Sequence, residues 1–462
     1  MMESLLRTLG AAALFSFLIS AGAAAEDFKV RTATLDNGLL IAVVEDHRAP
    51  IVTQMLYYKA GSADEQVGKT GVAHFLEHMM FQGTSTTPGA EFRATIARFG
   101  GRENAFTSSD VTAYHQTVGK EALELVMRLE ADRMHNLTIT QKEFDSEKEV
   151  IKEERRNRYE NEPAGQFGEQ MQAAQFLNHP YGQPTIGWMH EIEATTRDEA
   201  LVWYRRWYVP NNAILVVAGD TTLEEVVPLA RKYYGVIPRG ADPQRFRPKE
   251  PPQLAERRVL YYDPRVRQAS FSRNYLAPSV TARDGVAPAL SVLSALLSGG
   301  TGRFYQALVV EQGIAAGAGS AYGGGTLDAT TFGVWATPRR GGDIAAVERA
   351  MDAEIDKLLR DGVTEEEVTR AKTNITSGLI FARDNVMGLA RRVGNGLSIG
   401  QSIEEIANWS QVIDAVTVAQ VNAAAKQVLD RRRSVTGILQ PPANQPAAAA
   451  PPRPGAQQGA GL

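Results

Sequence analysis

The spacing of hydrophobic and polar residues changes along the chain, and each spacing predicts a different element. Residues 30–65 are rich in alternating and β-branched positions around a tight turn at Asp36-Asn37-Gly38, which together predict β-strands. Apolar residues then recur at helical spacing in GVAHFLEHMMF, GAEFRATIARFG, EALELVMRLEADRMHN and QKEFDSEKEVIKEERRNRYE. A strand pattern returns in NAILVVAGD. The first half of the chain therefore predicts a mixed α+β domain.

The second half repeats this order of elements more loosely. Residues 241–256 are rich in proline and charge, which predicts an interdomain linker. Strand-like RRVLYYDPRVRQASFSRNYLAPS is then followed by helical APALSVLSALLSGGTGRFYQALVVEQG. We therefore expect two related α+β domains, at residues 26–240 and 257–440, followed by a disordered Pro/Ala-rich tail at residues 441–462.

The first 25 residues have the layout of a secretory signal peptide. A lone Arg7 precedes an apolar run from Leu9 to Ile19, and small residues precede Glu26. The run is shorter than the roughly 20 apolar residues that a membrane-spanning helix needs, so cleavage is favoured over an uncleaved anchor. We expect a periplasmic protein without stable membrane insertion, and a secreted or membrane-tethered protein is the alternative.

Composition narrows the classes of function. The chain has 462 residues, of which 44% are hydrophobic and 22% charged, and its formal net charge is −4. These values are typical of a globular protein and argue against a nucleic-acid partner. The chain contains no cysteine. Disulfides and thiolate ligands are therefore excluded, and any metal ion must be held by nitrogen and oxygen atoms.

The segment GVAHFLEHMMFQGT contains the strongest candidate for chemistry. On a helix, His74, Glu77 and His78 lie on one face, because positions i, i+3 and i+4 are neighbours there. Two imidazoles one turn apart can chelate one Zn²⁺, and the H-x-x-E-H order places a carboxylate beside the open position of the metal. The alternative is two surface histidines that happen to flank a glutamate. The apolar residues Met79 and Met80 favour a buried helix and hence the metal site.

A catalytic zinc needs a third protein ligand, and an acidic helix supplies candidates. In DSEKEVIKEERRNRYE, Glu147 and Glu154 are seven residues apart and share one helical face, whereas Glu149 and Glu153 point elsewhere. The alternative for this helix is a charged surface element, with ion pairs such as that between Glu154 and Arg158.

These residues together resemble a known family. HFLEHMMFQGT, followed 76 positions after His78 by Glu154 within EKEVIKEE, is similar to the pitrilysin family (M16) of inverse zinc metallopeptidases, which includes insulinase and the mitochondrial processing peptidase. The resemblance extends over most of the mature chain, through GGRENAFTSSDVTAYHQTV, HPYGQPTIG, WYVPNNAILVVAGD and LLSGGTGRFYQALVVEQG. It implies the short, B-type architecture, in which two homologous α+β domains form half of a clam-like chamber.

The resemblance also implies roles for individual residues. It implies that His74, His78 and Glu154 bind Zn²⁺, that Glu77 is the general base, and that Glu147 supports the site. The run from Asn104 to Tyr114 resembles the edge strand on which this family holds an extended peptide through backbone hydrogen bonds. The substrate-binding residues that it implies are Asn104, Ala105, Phe106 and Thr107.

One departure from the family pattern bears on the partner. Active members place an Arg and a Tyr, seven residues apart, in the C-terminal half, where they stabilise substrate and oxyanion. Aligned by EQG, the positions here are Val309 and Ala316. The chain therefore resembles the zinc-bearing subunit of a heteromer whose zinc-less sister subunit carries the Arg/Tyr pair. The alternative is that the alignment is wrong and that Arg303, Tyr305 or Tyr322 serves instead, in which case a homodimer suffices.

Two readings compete with a peptidase. A non-catalytic scaffold or assembly subunit of the same lineage is favoured by the missing Arg/Tyr pair, but it would not need the complete set of His74, Glu77, His78 and Glu154. A metal-binding sensor would have no use for Glu77.

Overall fold

The structure is a computed structural model that describes residues 28–442. The predicted signal peptide at residues 1–25 lies outside these residues, and so does the predicted tail apart from residues 441 and 442. The strands are β1 Val30–Thr34, β2 Leu40–Glu45, β3 Ile51–Tyr58, β4 Arg102–Thr107, β5 Thr112–Gly119, β6 Ala213–Gly219, β7 Arg257–Tyr262, β8 Ser270–Ala277, β9 Ala315–Tyr322, β10 Thr330–Pro338 and β11 Ser434–Gln440.

The helices lie between these strands in both halves of the chain. They are α1 Val72–Met79, α2 Gly89–Arg98, α3 Leu123–Asn136, α4 Gln141–Arg155, α5 Pro163–Gln175, α6 Met189–Ala194, α7 Arg197–Trp207, α8 Leu223–Tyr233, α9 Val286–Leu297, α10 Arg303–Tyr305, α11 Ile344–Asp361, α12 Glu365–Ala382, α13 Val386–Ser398, α14 Ile403–Ala407, α15 Trp409–Asp414 and α16 Val418–Val428. π-helical turns extend α4 over Arg156–Glu160 and α10 over Gln306–Glu311.

The two sheets have the same topology. The first runs β1-β2-β6-β3-β5-β4, and the second runs β7-β11-β8-β10-β9. In each sheet a single pair is parallel, β2 with β6 and β7 with β11, and all the other neighbours are antiparallel. Without β1, each strand of the first sheet has a counterpart in the second. The predicted fold of two related α+β domains is confirmed.

Local predictions are mostly confirmed, with one correction. The turn at residues 36–38 joins β1 to β2, and Gly38 has a φ of 91°, which only glycine adopts readily. The helix predicted to continue through LLSGGTGRFYQALVVEQG is broken at residues 298–302, because Gly299 takes a φ of 78° and a helix cannot continue through it. Residues 238–256, where the linker is predicted, contain neither helix nor strand. The domain limits stay predictions.

Each domain donates one helix to the other domain's sheet. Helix α13, from the second half, packs Leu389, Ala390 and Val393 on the rear of the first sheet, against strands β2, β3 and β6. Helix α5, from the first half, packs Phe167 and Met171 on β7 and β11 of the second sheet. We call α5 and α13 the exchanged helices. Each sheet is therefore covered on one face by helices of its own half and on the other by a helix from the opposite half.

Glycines allow both exchanged helices to approach closely. A Cβ on Gly394 of α13 would overlap the ring of Tyr57 on β3, and a Cβ on Gly437 of β11 would overlap Met171 and Phe167 on α5. The contact between the two domains is also held by Asp110, a buried carboxylate that accepts hydrogen bonds from the Tyr181 hydroxyl and the Leu327 backbone N–H.

Among residues 28–442, no helix has the length and hydrophobicity to cross a bilayer.

Candidate metal centre

Helix α1 positions three of the candidate site residues. It begins after Gly71, whose φ of 91° brings the chain sharply into the helix. The half-buried Glu65 accepts hydrogen bonds from the backbone N–H groups of Gly71 and Ala73, which otherwise have no partner at a helix start. Phe75 and Leu76 are buried in the first core. His74 and His78 face Glu154 of helix α4, and Glu77 faces Thr107 of strand β4.

Three ligand atoms converge between α1 and α4. Nε2 of His78 lies 3.2 Å from Oε2 of Glu154, and Nε2 of His74 lies 3.8 Å from the same oxygen. One ligand atom from each of the three residues lies within 4.8 Å of the other two. Within residues 28–442, this is the group of histidine and carboxylate side chains that could hold a metal ion.

These distances fit a tetrahedral zinc ion. Zinc bonds of about 2.0–2.2 Å at tetrahedral angles place neighbouring ligand atoms about 3.3–3.5 Å apart. The two separations from Glu154, 3.2 and 3.8 Å, lie close to that value, and the widest separation in the group, within 4.8 Å, would have to shorten on binding. The donor set of two imidazoles and one carboxylate is a common one for catalytic zinc. Three protein ligands leave a fourth position open for water or substrate.

The electrostatics of the site suit a cation. Burial, reinforced by the nearby charge of His78, lowers the pKa of His74 to about 3, so this imidazole is neutral and can donate a lone pair. Burial also disfavours charge on His78, but its hydrogen bonds to Glu147 and Glu154 prevail and raise its pKa to about 9. The hydrogen bond from His78 lowers the pKa of Glu154. Nε2 of His78 faces Oε2 of Glu154 across the position that a metal ion would occupy.

Outer contacts hold the ligands in place. Oε1 of Glu147 lies 2.8 Å from Nδ1 of His78, which directs Nε2 of that ring toward Glu154. Gln82 donates to the other oxygen of Glu147, at 2.8 Å. Arg158 lies 2.7 Å from Oε1 of Glu154, so the ion pair of the alternative interpretation forms, and it leaves Oε2 facing the histidines. Sequence reasoning did not identify Gln82, although its position four residues after His78 was an available signal.

Glu77 lies between the ligand cluster and strand β4. Its Oε2 accepts a hydrogen bond from the Thr107 hydroxyl at 2.5 Å. Burial raises the pKa of Glu77, and the Thr107 hydrogen bond opposes that shift. An adjoining cleft of about 570 Å³ opens beside these residues. The cleft is lined by Glu77, His78, Phe81, Gln82, Arg93, Glu103, Asn104 and Glu147.

Strand β4 is the open edge of the first sheet, because it pairs with β5 alone. The resemblance assigned the run from Asn104 to Tyr114 to one edge strand, and this is wrong. The edge strand ends at Thr107, since the Ser108 hydroxyl accepts from the backbone N–H of Val111 and closes a turn. Residues 112–114 belong to the inner strand β5. All four predicted substrate-binding residues nevertheless lie on β4.

The rear of the edge strand is supported by the second domain. The ring of Phe106 makes an edge contact with Tyr57 at 6.1 Å between centroids, and the Arg391 guanidinium of α13 lies 4.6 Å from the Phe106 ring centroid. Ala105 packs partly against the first core, on the side of α1. Asn104 is exposed, and its side-chain oxygen accepts from the Ala105 N–H.

The positions aligned with the family's Arg/Tyr pair carry no polar group in this chain. Val309 packs against the second core, and Ala316 is exposed on β9, the counterpart of β4. Of the alternatives, Arg303 forms an ion pair with Glu367 at 2.7 Å. The Tyr322 hydroxyl donates to the Pro278 carbonyl at 2.5 Å. Tyr305 is half-buried beside Arg303.

Comparisons with known proteins find relatives of both domains. A family model described as Insulinase (Peptidase family M16) matches residues 40–188, and one described as Peptidase M16 inactive domain matches residues 194–375. The latter description suits the second domain of this chain. Its first α-helix after strand β8 is α9, which contains neither histidine nor glutamate.

Two sequence relatives span almost the whole chain. The chain is 27% identical over 444 residues to the zinc protease PqqE of Helicobacter pylori, covering 95% of this chain and 99% of the relative. It is 32% identical over 420 residues to an uncharacterized zinc protease of Mycobacterium leprae, covering 88% of this chain and 91% of the relative.

Solved structures share the fold. A protease from Helicobacter pylori superposes with a TM-score of 0.84 at 28% identity, covering 90% of this chain and 100% of that one. The first half of the periplasmic protease PqqL from Escherichia coli superposes with a TM-score of 0.76 at 24% identity, covering 90% and 92%. With family models matching both domains and a 32% identical relative covering most of the chain, the chain belongs to peptidase family M16.

Proposed function

We propose that this chain is the zinc-bearing subunit of an endopeptidase that hydrolyses extended or unfolded peptides. The observation that carries the proposal is the convergence of His74, His78 and Glu154 beside Glu77, which in turn contacts the open edge strand. The names of the relatives support zinc as the metal, since both are called zinc proteases. A cluster of ligands alone would fit storage or sensing, whereas a carboxylate beside an open position serves hydrolysis.

The residues of the chain divide the work of peptide hydrolysis. A zinc ion, when bound, would polarise the scissile carbonyl and make water at the open position more acidic. Glu77, oriented through Oε2 by Thr107, has Oε1 to take the proton of the attacking water and pass it to the leaving amine. Glu147 keeps the His78 ring turned so that Nε2 faces the metal position.

The edge strand explains how a substrate would be held. A peptide that adds to β4 as a further strand is bound mainly through backbone hydrogen bonds, which any extended sequence can make. Thr107 and the preceding residues of β4 would place the peptide beside Glu77. Most strands of a folded protein are already paired, so the enzyme would act on unfolded segments, enclosed in a chamber of which this chain forms half.

A sister subunit would complete the site. Val309 and Ala316 supply no donor for a developing oxyanion, and Arg303 and Tyr322 are engaged in contacts of the second domain. A zinc-less subunit of the same family, presenting Arg and Tyr across the chamber, would supply the missing donors. We also propose a periplasmic location, which rests on the signal-peptide pattern of residues 1–25.

The second candidate function is a non-catalytic scaffold, and the missing Arg/Tyr pair favours it. Glu77→Gln separates the two readings, because the amide keeps the shape of the side chain but cannot take a proton at neutral pH. Zinc content and cleavage of a quenched, unfolded peptide are measured for wild type and variant, each with the candidate sister subunit present. We expect both proteins to hold one zinc ion and the variant to lose about 10²- to 10⁴-fold in kcat. Zinc-loaded wild-type protein without activity in this assembly would favour the scaffold.

A further inference from the structure

The cleft beside Glu77 contains one acidic side chain whose bonding is incomplete. Glu147 is satisfied at both oxygens, by His78 and Gln82, and Glu77 accepts from Thr107. Glu103, on β4, differs from them. Only 8% of its side chain is exposed, and its Oε2 is buried without a hydrogen-bond partner.

The positive groups near Glu103 do not compensate its charge. Nε of Arg93 lies 3.6 Å from Oε1, which is too long for a hydrogen bond, and the Arg93 side chain is 71% exposed. The buried Arg133 attracts Glu103 through space, but its hydrogen bond goes to Glu130. Burial, reinforced by the nearby charge of Glu130, prevails over both arginines and raises the pKa of Glu103. A buried carboxylate in this condition is stabilised when a hydrogen-bond donor reaches it.

The register of the edge strand places Glu103 where a substrate side chain would lie. Successive side chains of a strand point to opposite faces, so Glu103, Ala105 and Thr107 share one face. Thr107 contacts Glu77, and Ala105 packs on the α1 side, so this is the face of the metal centre. A peptide added to the open edge of β4 presents every second side chain to the same face. A long side chain from such a position enters the cleft.

We propose that Glu103 selects substrates that carry a cationic side chain, Lys or Arg, in the cleft beside the scissile bond. This inference rests on the proposed peptidase function and assigns its specificity. The substrate's ammonium or guanidinium group would bond the Glu103 carboxylate and displace the exposed Arg93, whose contact is weak. Arg93 then competes with the substrate, so its removal strengthens selection.

The test compares peptides that are identical except for one residue, Lys or the uncharged norleucine, placed in turn at each position of a neutral, unfolded sequence. Selectivity is the ratio of kcat/KM for the Lys and norleucine peptides at the most responsive position, measured with the zinc-loaded assembly. We expect selectivity to fall about ten-fold or more in Glu103→Gln, since a hydrogen bond to a charged group is lost, and to rise in Arg93→Ala. Glu149→Gln, an exposed carboxylate on α4, is the matched control and should keep the wild-type ratio.

A second measurement does not depend on turnover. Fluorescence anisotropy gives the Kd of the same two peptides for protein whose metal has been removed with a chelator. The Lys peptide should lose its advantage in affinity in Glu103→Gln, and that advantage should grow in Arg93→Ala. Wild-type protein that cleaves no peptide would overturn the proposed function, and the binding ratios then decide this inference by themselves. Equal losses for both peptides in Glu103→Gln, with no change of ratio in Arg93→Ala, would assign Glu103 to a structural role with Arg133 and overturn the inference.

Discussion

Truncation of Glu147 tests whether the metal site depends on its outer contacts. The carboxylate spans two partners, Nδ1 of His78 and the Gln82 amide, each at 2.8 Å. Glu147→Ala removes both contacts, so the His78 ring is free to turn and Nε2 no longer has a fixed direction. Glu147→Gln retains an amide oxygen that can accept from Nδ1, but without the negative charge that makes the imidazole a stronger ligand.

The size of the effect follows from this difference. Outer carboxylates typically contribute roughly 10- to 100-fold in metal affinity, or about 1.4–2.7 kcal/mol. We expect Glu147→Ala near the upper end, because orientation and charge are both lost, and Glu147→Gln near the lower end, because orientation is retained. The side chain of Glu147 is 16% exposed and makes its contacts at the edge of the cleft, so the fold should persist in both variants.

Zinc affinity is measured by competition with a fluorescent chelator, and urea unfolding in the presence of a chelator reports the metal-free fold. Glu149→Gln on the same helix is the control, since this side chain is 65% exposed and pairs only with Lys152 among the contacts described. Its zinc Kd should equal that of wild type. If the zinc Kd of Glu147→Ala lies within about two-fold of wild type, the reasoning from outer contacts is refuted and Glu147 belongs to the solvated face of α4.

Three further predictions address the ligands, the partner and the exchanged helices. His74→Ala should lose stoichiometric zinc in metal analysis, because two remaining ligands cannot hold the ion tightly; retention of one zinc per chain would contradict the assignment. The kcat of the zinc-loaded chain alone should be about 10²- to 10³-fold lower than that of its assembly with a sister subunit carrying Arg and Tyr, because an oxyanion donor is missing. Full activity of the lone chain or its homodimer would defeat the heteromer proposal. Gly394→Ala should lower the free energy of unfolding by about 1–3 kcal/mol, because its Cβ meets the Tyr57 ring. The control is Gly378→Ala on α12, where nothing lies near the new Cβ and the free energy of unfolding should rise by about 0.4–1 kcal/mol. Equal urea midpoints for Gly394→Ala and wild type would show that α13 packs more loosely than described.

The parts of the site that the sequence predicts are those within one element or tied to a family motif. Helical spacing places His74, Glu77 and His78 on one face whatever the rest of the fold does. Glu154 and Glu147 follow from their shared face on α4, although only the family resemblance indicated that this face meets α1. The packing of α1 on α4 brings the two groups together, and that contact depends on the whole first core.

The strand break at residues 108–111 had a local signal, since Ser108, Ser109 and Asp110 are turn-forming residues, but the family resemblance predicts a single strand there. Other features depend on contacts that no local pattern records. The burial of Glu103 depends on where α2 and α3 bring Arg93 and Arg133. The exchanged helices are amphipathic like any other, and nothing in their own sequences indicates that they cover the sheet of the opposite half.

The exchange of α5 and α13 has a consequence for the order in which the chain can fold. The first sheet is complete in sequence at Gly219, but its rear face waits for residues 386–398, more than 160 positions later. Until then β2, β3 and β6 expose an apolar surface, and Phe106 on the edge strand lacks the support of Arg391. A fragment that ends before α13 would therefore carry all the candidate metal ligands on an unfinished sheet. Contacts of such long range make closure slow and cooperative, so we expect the nascent chain to complete the support of strand β4 only when the second domain folds with the first.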